Sequence, residues 1–193
     1  KIKVDTSFPI DITVTDEVAK TTASYTLKVG KVLGYVVTKV GSITDGTKIF
    51  PTFDIKINPK DGTPWIAYYK ELEGDKYDRV AVVRLDGATF PYVGESCISA
   101  DIKDAKSPSL AFASDGTAFL KYAGGEVSNR NTVKKFTSSW EVCGKEALNS
   151  VNINASFPSP LYVQSDGQPA FFFTSNSGTT KRSIVSAYFN GSN

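Results

Sequence analysis

Residues 108–144 read PSLAFASDGTAFLKYAGGEVSNRNTVKKFTSSWEVCG, and the punctuation of this stretch decides the fold. An alternating run, Ser109 to Ser114, meets a turn at Asp115-Gly116. A second apolar run, Thr117 to Tyr122, leads into a loop rich in Gly, Ser and Asn. Two further strand-like runs, Thr132 to Phe136 and Trp140 to Cys143, close the unit at Gly144. Asp-Gly between alternating runs is a strong hairpin signal, because both turn positions have to tolerate positive φ. The stretch therefore predicts four antiparallel strands.

The same punctuation recurs on either side. The turn returns as Asp61-Gly62, Asp115-Gly116 and Asp166-Gly167, at intervals of 54 and 51 residues. The closing glycine returns as Val40-Gly41, Val93-Gly94 and Cys143-Gly144, at intervals of 53 and 50. The opening prolines Pro51, Pro108 and Pro158 stand 57 and 50 apart, so an insertion before Pro108 absorbs the difference. Third strands are expected at Val80 to Leu85, Thr132 to Phe136 and Ile184 to Phe189. A period near fifty residues with four short strands per unit is the signature of a propeller blade. One such unit cannot bury both faces of its sheet, whereas blades stacked radially cover one another. The fold class predicted is all-β: a β-propeller of four-stranded antiparallel blades of about fifty residues.

On PSLAFASDGTAFLKY followed by TVKKFTSSWEVCG, the chain resembles bacterial secreted and cell-surface β-propeller repeats of the sialidase-like and NHL- or kelch-like kind, over residues 35–193. Ser114-Asp115-Gly116-Thr117 and Ser165-Asp166-Gly167-Gln168 are similar to the Asp-box of sialidases but lack its residue between Asp and Gly. The resemblance implies architecture. In that family the Asp-box hairpins are fold-stabilising and remote from the active site, so the resemblance implies no catalysis.

The domain division expected is an N-terminal β segment at 1–30 and propeller repeats at 31–193, with blades at 51–94, 108–144 and 158–193 and an orphan strand at 35–41. IDITVTDE and ASYTLKV predict a hairpin or two sheet strands within 1–30, either a degenerate blade or the tail of an immunoglobulin-like module. The orphan strand YVVTKVG is expected to complete the last blade, whose own fourth strand is lacking at Asn193. Three full blades are fewer than the four of the smallest closed propellers. A degenerate blade at 1–30, further blades in a longer chain, or assembly of subunits into an oligomer would finish the ring.

Composition bounds the chemistry. The 193 residues are 40% hydrophobic and 12% aromatic, enough for one sizeable core of strand-forming residues. A net charge of +2 from 22 basic and 20 acidic residues, with the signs interspersed, predicts no nucleic-acid partner. No 18-residue apolar run is present, so no membrane span is expected. Pro and Gly punctuation and polar loops fit an exported protein, secreted or at the cell surface, extracellular or periplasmic. The absence of histidine removes Ser-His-Asp and Cys-His machinery and most zinc and iron sites. No cofactor is expected, and Gly124-Gly125 is followed by no phosphate-binding helix.

Candidate site residues follow from this frame. The second strands carry Trp65, Tyr68, Tyr122 and Phe172, where aromatics on the outward parity or at a channel mouth would stack on a sugar or hold a peptide, and inward ones would be core. Glu71, Glu73, Asp75 and Asp78 place four carboxylates around Gly74, a calcium candidate set against a solvated hairpin tip neutralised by Lys70, Lys76 and Arg79. Cys97 and Cys143 are a disulfide candidate between neighbouring blades, or two buried thiols. Asp61, Asp115 and Asp166 occupy equivalent turns, so their side chains are expected to cap those turns. The function expected is a non-catalytic module binding a glycan or an extracellular protein through loops at one face. The alternatives are a fragment of a glycan-active, sialidase- or glycosidase-like enzyme, or a structural or adhesive spacer.

Overall fold

The computed structural model describes residues 6–15, 20–29, 39–44, 46, 48–99, 104–124, 130–144, 159–176 and 182–189. The chain divides into two compact units, Lys1–Lys39 and Val40–Asn193. In the first, strands β1 (Thr6–Thr15) and β2 (Lys20–Val29) pair antiparallel from Thr6 opposite Val29 to Thr15 opposite Lys20. The described parts of the alternating runs IDITVTDE and ASYTLKV thus pair with each other.

The second unit consists of antiparallel sheets, with no helix among the described residues. The first sheet is β3 (Lys48–Ile57), β4 (Pro64–Glu71) and β5 (Arg79–Arg84). The second is β6 (Lys106–Phe112), β7 (Ala118–Ala123), β8 (Asn131–Phe136) and β9 (Trp140–Val142). The third is β10 (Leu161–Val163), β11 (Pro169–Asn176) and β12 (Arg182–Tyr188). Strands follow chain order within each sheet, and the sheets pack face to face with β6 against both β3 and β10. This is the blade arrangement of a β-propeller, with the first strands of successive blades adjoining.

In the first blade the fourth position is filled by an irregular segment. Val93 donates to Val82, Ile98 to Val80 and Ala105 to Asp78 through their backbone N–H groups, while Arg84 donates to the Pro91 carbonyl. Val93 and Ile98 are five residues apart where their partners Val82 and Val80 are two apart, and Ala105 follows seven further on opposite Asp78, so the regular ladder breaks and the interval from Pro51 to Pro108 lengthens. Tyr35 to Thr38 of the expected orphan strand lie outside the described residues; at its end, Gly41 sits against Ala88 and Phe90.

The Asp-Gly turns place only the glycine at positive φ, not both residues of the dipeptide. Gly62, Gly116 and Gly167 have φ of 73°, 90° and 82°, whereas Ser107 is the sole non-glycine residue with positive φ among those described. In the second blade Gly116 donates to Ala113 O and Ala113 to Thr117 O, closing a three-residue loop in which only the last position needs the left-handed region. The aspartate instead accepts from the backbone two residues on: Thr63 N to Asp61, Thr117 N to Asp115 and Gln168 N to Asp166, at 2.8, 2.8 and 2.9 Å. These bonds and the threonine hydroxyls hold the Asp61 and Asp115 carboxyls below the usual carboxylate range. A Cβ on Gly116 would also strike Lys60 and Asn58 of the first blade's turn.

Period-two alternation assigns every strand residue to one of two interfaces. Trp65, Ala67, Val80 and Val82 of the first blade meet Leu110, Leu120, Tyr122 and Trp140 of the second in one buried cluster. Trp65 stands edge-on to Phe112 and Phe136, with centroids 5.2 and 6.1 Å away, and Trp140 donates to Val93 O. A second cluster joins Ala111, Phe119, Val133 and Cys143 to Leu161, Phe171 and Phe173 of the third blade. Each large side chain fully buried here is worth about 1.5–3 kcal/mol. Aligned on the turn hydrogen bonds, Leu110 and Leu161 occupy one position, and Leu120 and Phe171 another. Each pair packs its blade onto the preceding blade.

Candidate functional site

The adjoining first strands gather the polar side chains of the interior. Alternation in Phe53-Asp54-Ile55 turns Asp54 toward the second blade. One of its carboxylate oxygens accepts from Leu110 N at 2.8 Å and Ser109 Oγ at 3.1 Å. The other accepts from Lys56 Nζ at 3.1 Å. Ser109 Oγ in turn accepts from Leu161 N at 3.0 Å. A chain of hydrogen bonds thus crosses all three blades at their first strands.

Lys121 lies beside it, on β7 opposite Ser109. Its side chain is fully buried, and Nζ donates to the Ser159 carbonyl at 3.0 Å and to the Ser159 hydroxyl. Burial without a facing carboxylate pulls its pKa down from 10.5 to about 8. Neutral or charged, it donates to Ser159 and ties the second blade to the start of the third. The first strands β3, β6 and β10 carry one carboxylate between them, Asp54.

Three of the four aromatic candidates are core. Trp65 and Tyr122 are buried between the first and second blades. Tyr68 is buried on the opposite face with Ala81 and Val83, under Ile43, Ile66 and Phe90. Trp65 and Tyr122 therefore serve packing between blades, whereas Tyr68, though buried, also lines a groove on the outer face of the first blade. Phe172 differs: it is 42% exposed and stacks on Tyr162 at 5.9 Å.

The acidic loop does not converge on a cation position. Asp75 accepts from Tyr77 N at 3.1 Å and from Arg79 Nε at 2.7 Å, and these two donors lower its pKa. Asp78 pairs with Lys106 at 3.2 Å, and Glu71 and Glu73 are exposed. Among the described residues no three Asp, Glu or Cys side chains are grouped to hold a metal. The disulfide expectation is corrected as well: both cysteines are free thiols. Cys143 points into the interface of the second and third blades, whereas Cys97 lies in the irregular segment, next to an Ile98 buried between the first and second.

Asp54, Ser109 and Lys121 escaped sequence reasoning. The available signal was a charged residue inside an apolar run, in FDI and in FLKY, at the parity of its buried neighbours. A groove of about 440 Å³ on the outer face of the first blade is lined by Ile43, Ile49, Phe53, Ile55, Ile66, Tyr68 and Phe90, side chains that are apolar but for the Tyr68 hydroxyl. No described helix is long and apolar enough to cross a membrane.

No protein-family model matches the sequence, and no curated protein matches it. Among solved structures the chain is similar to a fucose lectin from Kordia zhangzhouensis in complex with methyl-fucoside, at 8% identity and a TM-score of 0.48, over 70% of this chain and 91% of that one. It is similar to a thermostable family-43 glycoside hydrolase at 14% identity and a TM-score of 0.47, over 98% and 71%. An endo-arabinase from Bacteroides thetaiotaomicron aligns at 11% identity and a TM-score of 0.46, over 98% and 77%. Likenesses this distant say nothing of this chain's chemistry.

Proposed function

We propose that this chain is a non-catalytic binding module, secreted or displayed at a cell surface, that recognises a glycan or an extracellular protein through the loops at one end of its blades. The observation that carries this reading is the use made of Asp54. Hydrolysis of a glycosidic bond generally requires two carboxyl groups flanking the scissile bond. The first strands supply one, and its oxygens are taken by Leu110 N, Ser109 Oγ and Lys56 Nζ. A carboxylate bound in this way fastens blades together. The loops are suited to binding: the Asp-Gly turns of the first two blades adjoin through Gly116 and Lys60 and present exposed Lys60, Asp61, Ser114 and Asp115 at one end. Variable loops gathered on one side of a repeat scaffold are a common binding design.

A glycan array followed by isothermal titration tests the proposal, with binding of a defined glycan class expected. Failure to bind any glycan or matrix protein contradicts it and favours a structural spacer. The reading as part of a glycan-active enzyme rests on Asp54 as the carboxylate at the first strands. Asp54→Asn separates the two. Loss of stability with no glycosidase activity in either form fits the binding module, and wild-type hydrolysis of fluorogenic glycosides, abolished in a stably folded variant, establishes the enzyme.

A further inference from the structure

The interface between the second and third blades encloses a polar set that packing alone does not use. Lys121, fully buried on β7, reaches across to Ser159, its Nζ 3.0 Å from the carbonyl oxygen and 2.5 Å from the hydroxyl oxygen. Ser159 is itself partly exposed, two residues before β10 and next to exposed Pro160. On the same face as Lys121, one rung along β8, stands Asn131, opposite Ala123. It is fully buried, with neither its amide nitrogen nor its oxygen hydrogen-bonded. A buried amide without partners is costly, so this set keeps hydrogen-bonding capacity for a guest.

The surroundings favour a neutral amine. The ionisable groups on the elements around Lys121 are Lys106 on β6, paired with Asp78 and Asp104, Lys135 on β8 and Cys143 after β9. Asp54 comes in behind Ser109, its oxygens already taken. The third blade contributes Leu161 and the Phe171 ring. With a pKa of about 8, Lys121 is unprotonated in roughly one chain in ten at pH 7 and in most chains at pH 9. The neutral amine has a lone pair for the Ser159 O–H while its own N–H groups still face the carbonyl.

We propose that Ser159 is a nucleophile that accepts an acyl group from an activated ester, with Lys121 as its base. Serine is a weak nucleophile until a neighbouring base takes its proton, and in a chain without histidine a buried lysine fills that place. As Ser159 Oγ bonds to the ester carbonyl carbon, its proton passes to Lys121 Nζ. The bond from that carbon to the leaving oxygen then breaks, the leaving group takes the proton from Lys121, and the acyl group stays on Ser159 as an ester. The activity goes beyond glycan or protein binding by the loops and does not depend on it.

The probe is p-nitrophenyl acetate, applied to the whole folded chain between pH 6 and 10, with the acetyl group located by peptide mass spectrometry. Ser159 should be acetylated ahead of every other serine, at a rate that rises to a plateau with a midpoint near pH 8. Ser159→Ala should lose the label. Lys121→Met, checked for folding by circular dichroism, should slow it by about 100-fold or more. Should that variant not fold, the pH profile of the unaltered chain decides. A rate at Ser159 that climbs tenfold per pH unit without a plateau is that of an ordinary hydroxyl and overturns the proposal. So do acetylation of Lys121 in place of Ser159, labelling of Ser159 no faster than of other serines, and labelling unchanged in folded Lys121→Met.

Discussion

Lys121 shows how much a single residue can cost and still be kept. Its amine sits near a pKa of 8 in the folded protein, against 10.5 ordinarily, because burial penalises the charge. Below about pH 8 both folded and unfolded chains hold the proton, and the folded state bears the whole penalty. As pH climbs from about 8 to above 10 the folded protein releases the proton first, so the stability tied to this group rises. Lys121→Met should therefore stabilise the fold by about 1–3 kcal/mol at neutral pH, less than the pKa change alone implies because two hydrogen bonds to Ser159 are lost. The advantage should fade above pH 8, as read from urea midpoints between pH 6 and 10. Thiol labelling gives a second test: native protein should release one fast equivalent, from half-exposed Cys97, while Cys143, buried and with its pKa raised by that burial, reacts only on unfolding. Two fast thiols would contradict the packing of Cys143. The roles of Lys121 and Asp54 were not legible beforehand, since a charged residue in a strand ordinarily faces water. Trp65, Tyr68 and Tyr122 were legible as second-strand aromatics, with core as one of their two readings, and the burial of all three matches that reading.

At the scale of elements the punctuation was the readable part. Asp-Gly dipeptides at a fixed interval located three hairpins, and their aspartates do cap the turns as the repetition implied. The turn conformation was not readable from the dipeptide, because Asp-Gly serves both two-residue and three-residue loops and the choice depends on how many residues leave the ladder. The fourth strand of the first blade was half readable: Val93 is one of its rungs, but the five-residue step from Val93 to Ile98 breaks the alternation that would have announced it, and the segment runs past Gly94 to Ala105. Gly116 carries the sharpest prediction here. It combines a φ of 90° with a close approach to Lys60 and Asn58, so Gly116→Ala should destabilise by about 1–3 kcal/mol. Gly167, with nothing within 4 Å of its missing Cβ, should lose less when changed to Ala. Equal losses in thermal denaturation would show that the contact between adjacent turns contributes nothing.

For the molecule as a whole, the stability of this unit is the stability of its interfaces. A single blade leaves two apolar faces in water, and each added neighbour covers one of them. The repeat was legible because the same landmarks had to recur wherever the same interface recurred. Whether the stack closes on itself was not, since closure depends on surfaces that look alike in sequence whether they meet a neighbour or water. The central claim, that consecutive blades pack face to face through equivalent positions, is tested most directly by a double-mutant cycle on Trp65 and Phe112, which lie in different blades with ring centroids 5.2 Å apart. With Trp65→Leu, Phe112→Leu and the double variant compared by urea denaturation, a coupling of about 0.5–1.5 kcal/mol is predicted. Strictly additive losses would mean that the two rings do not meet, and that the blades do not stack in this way.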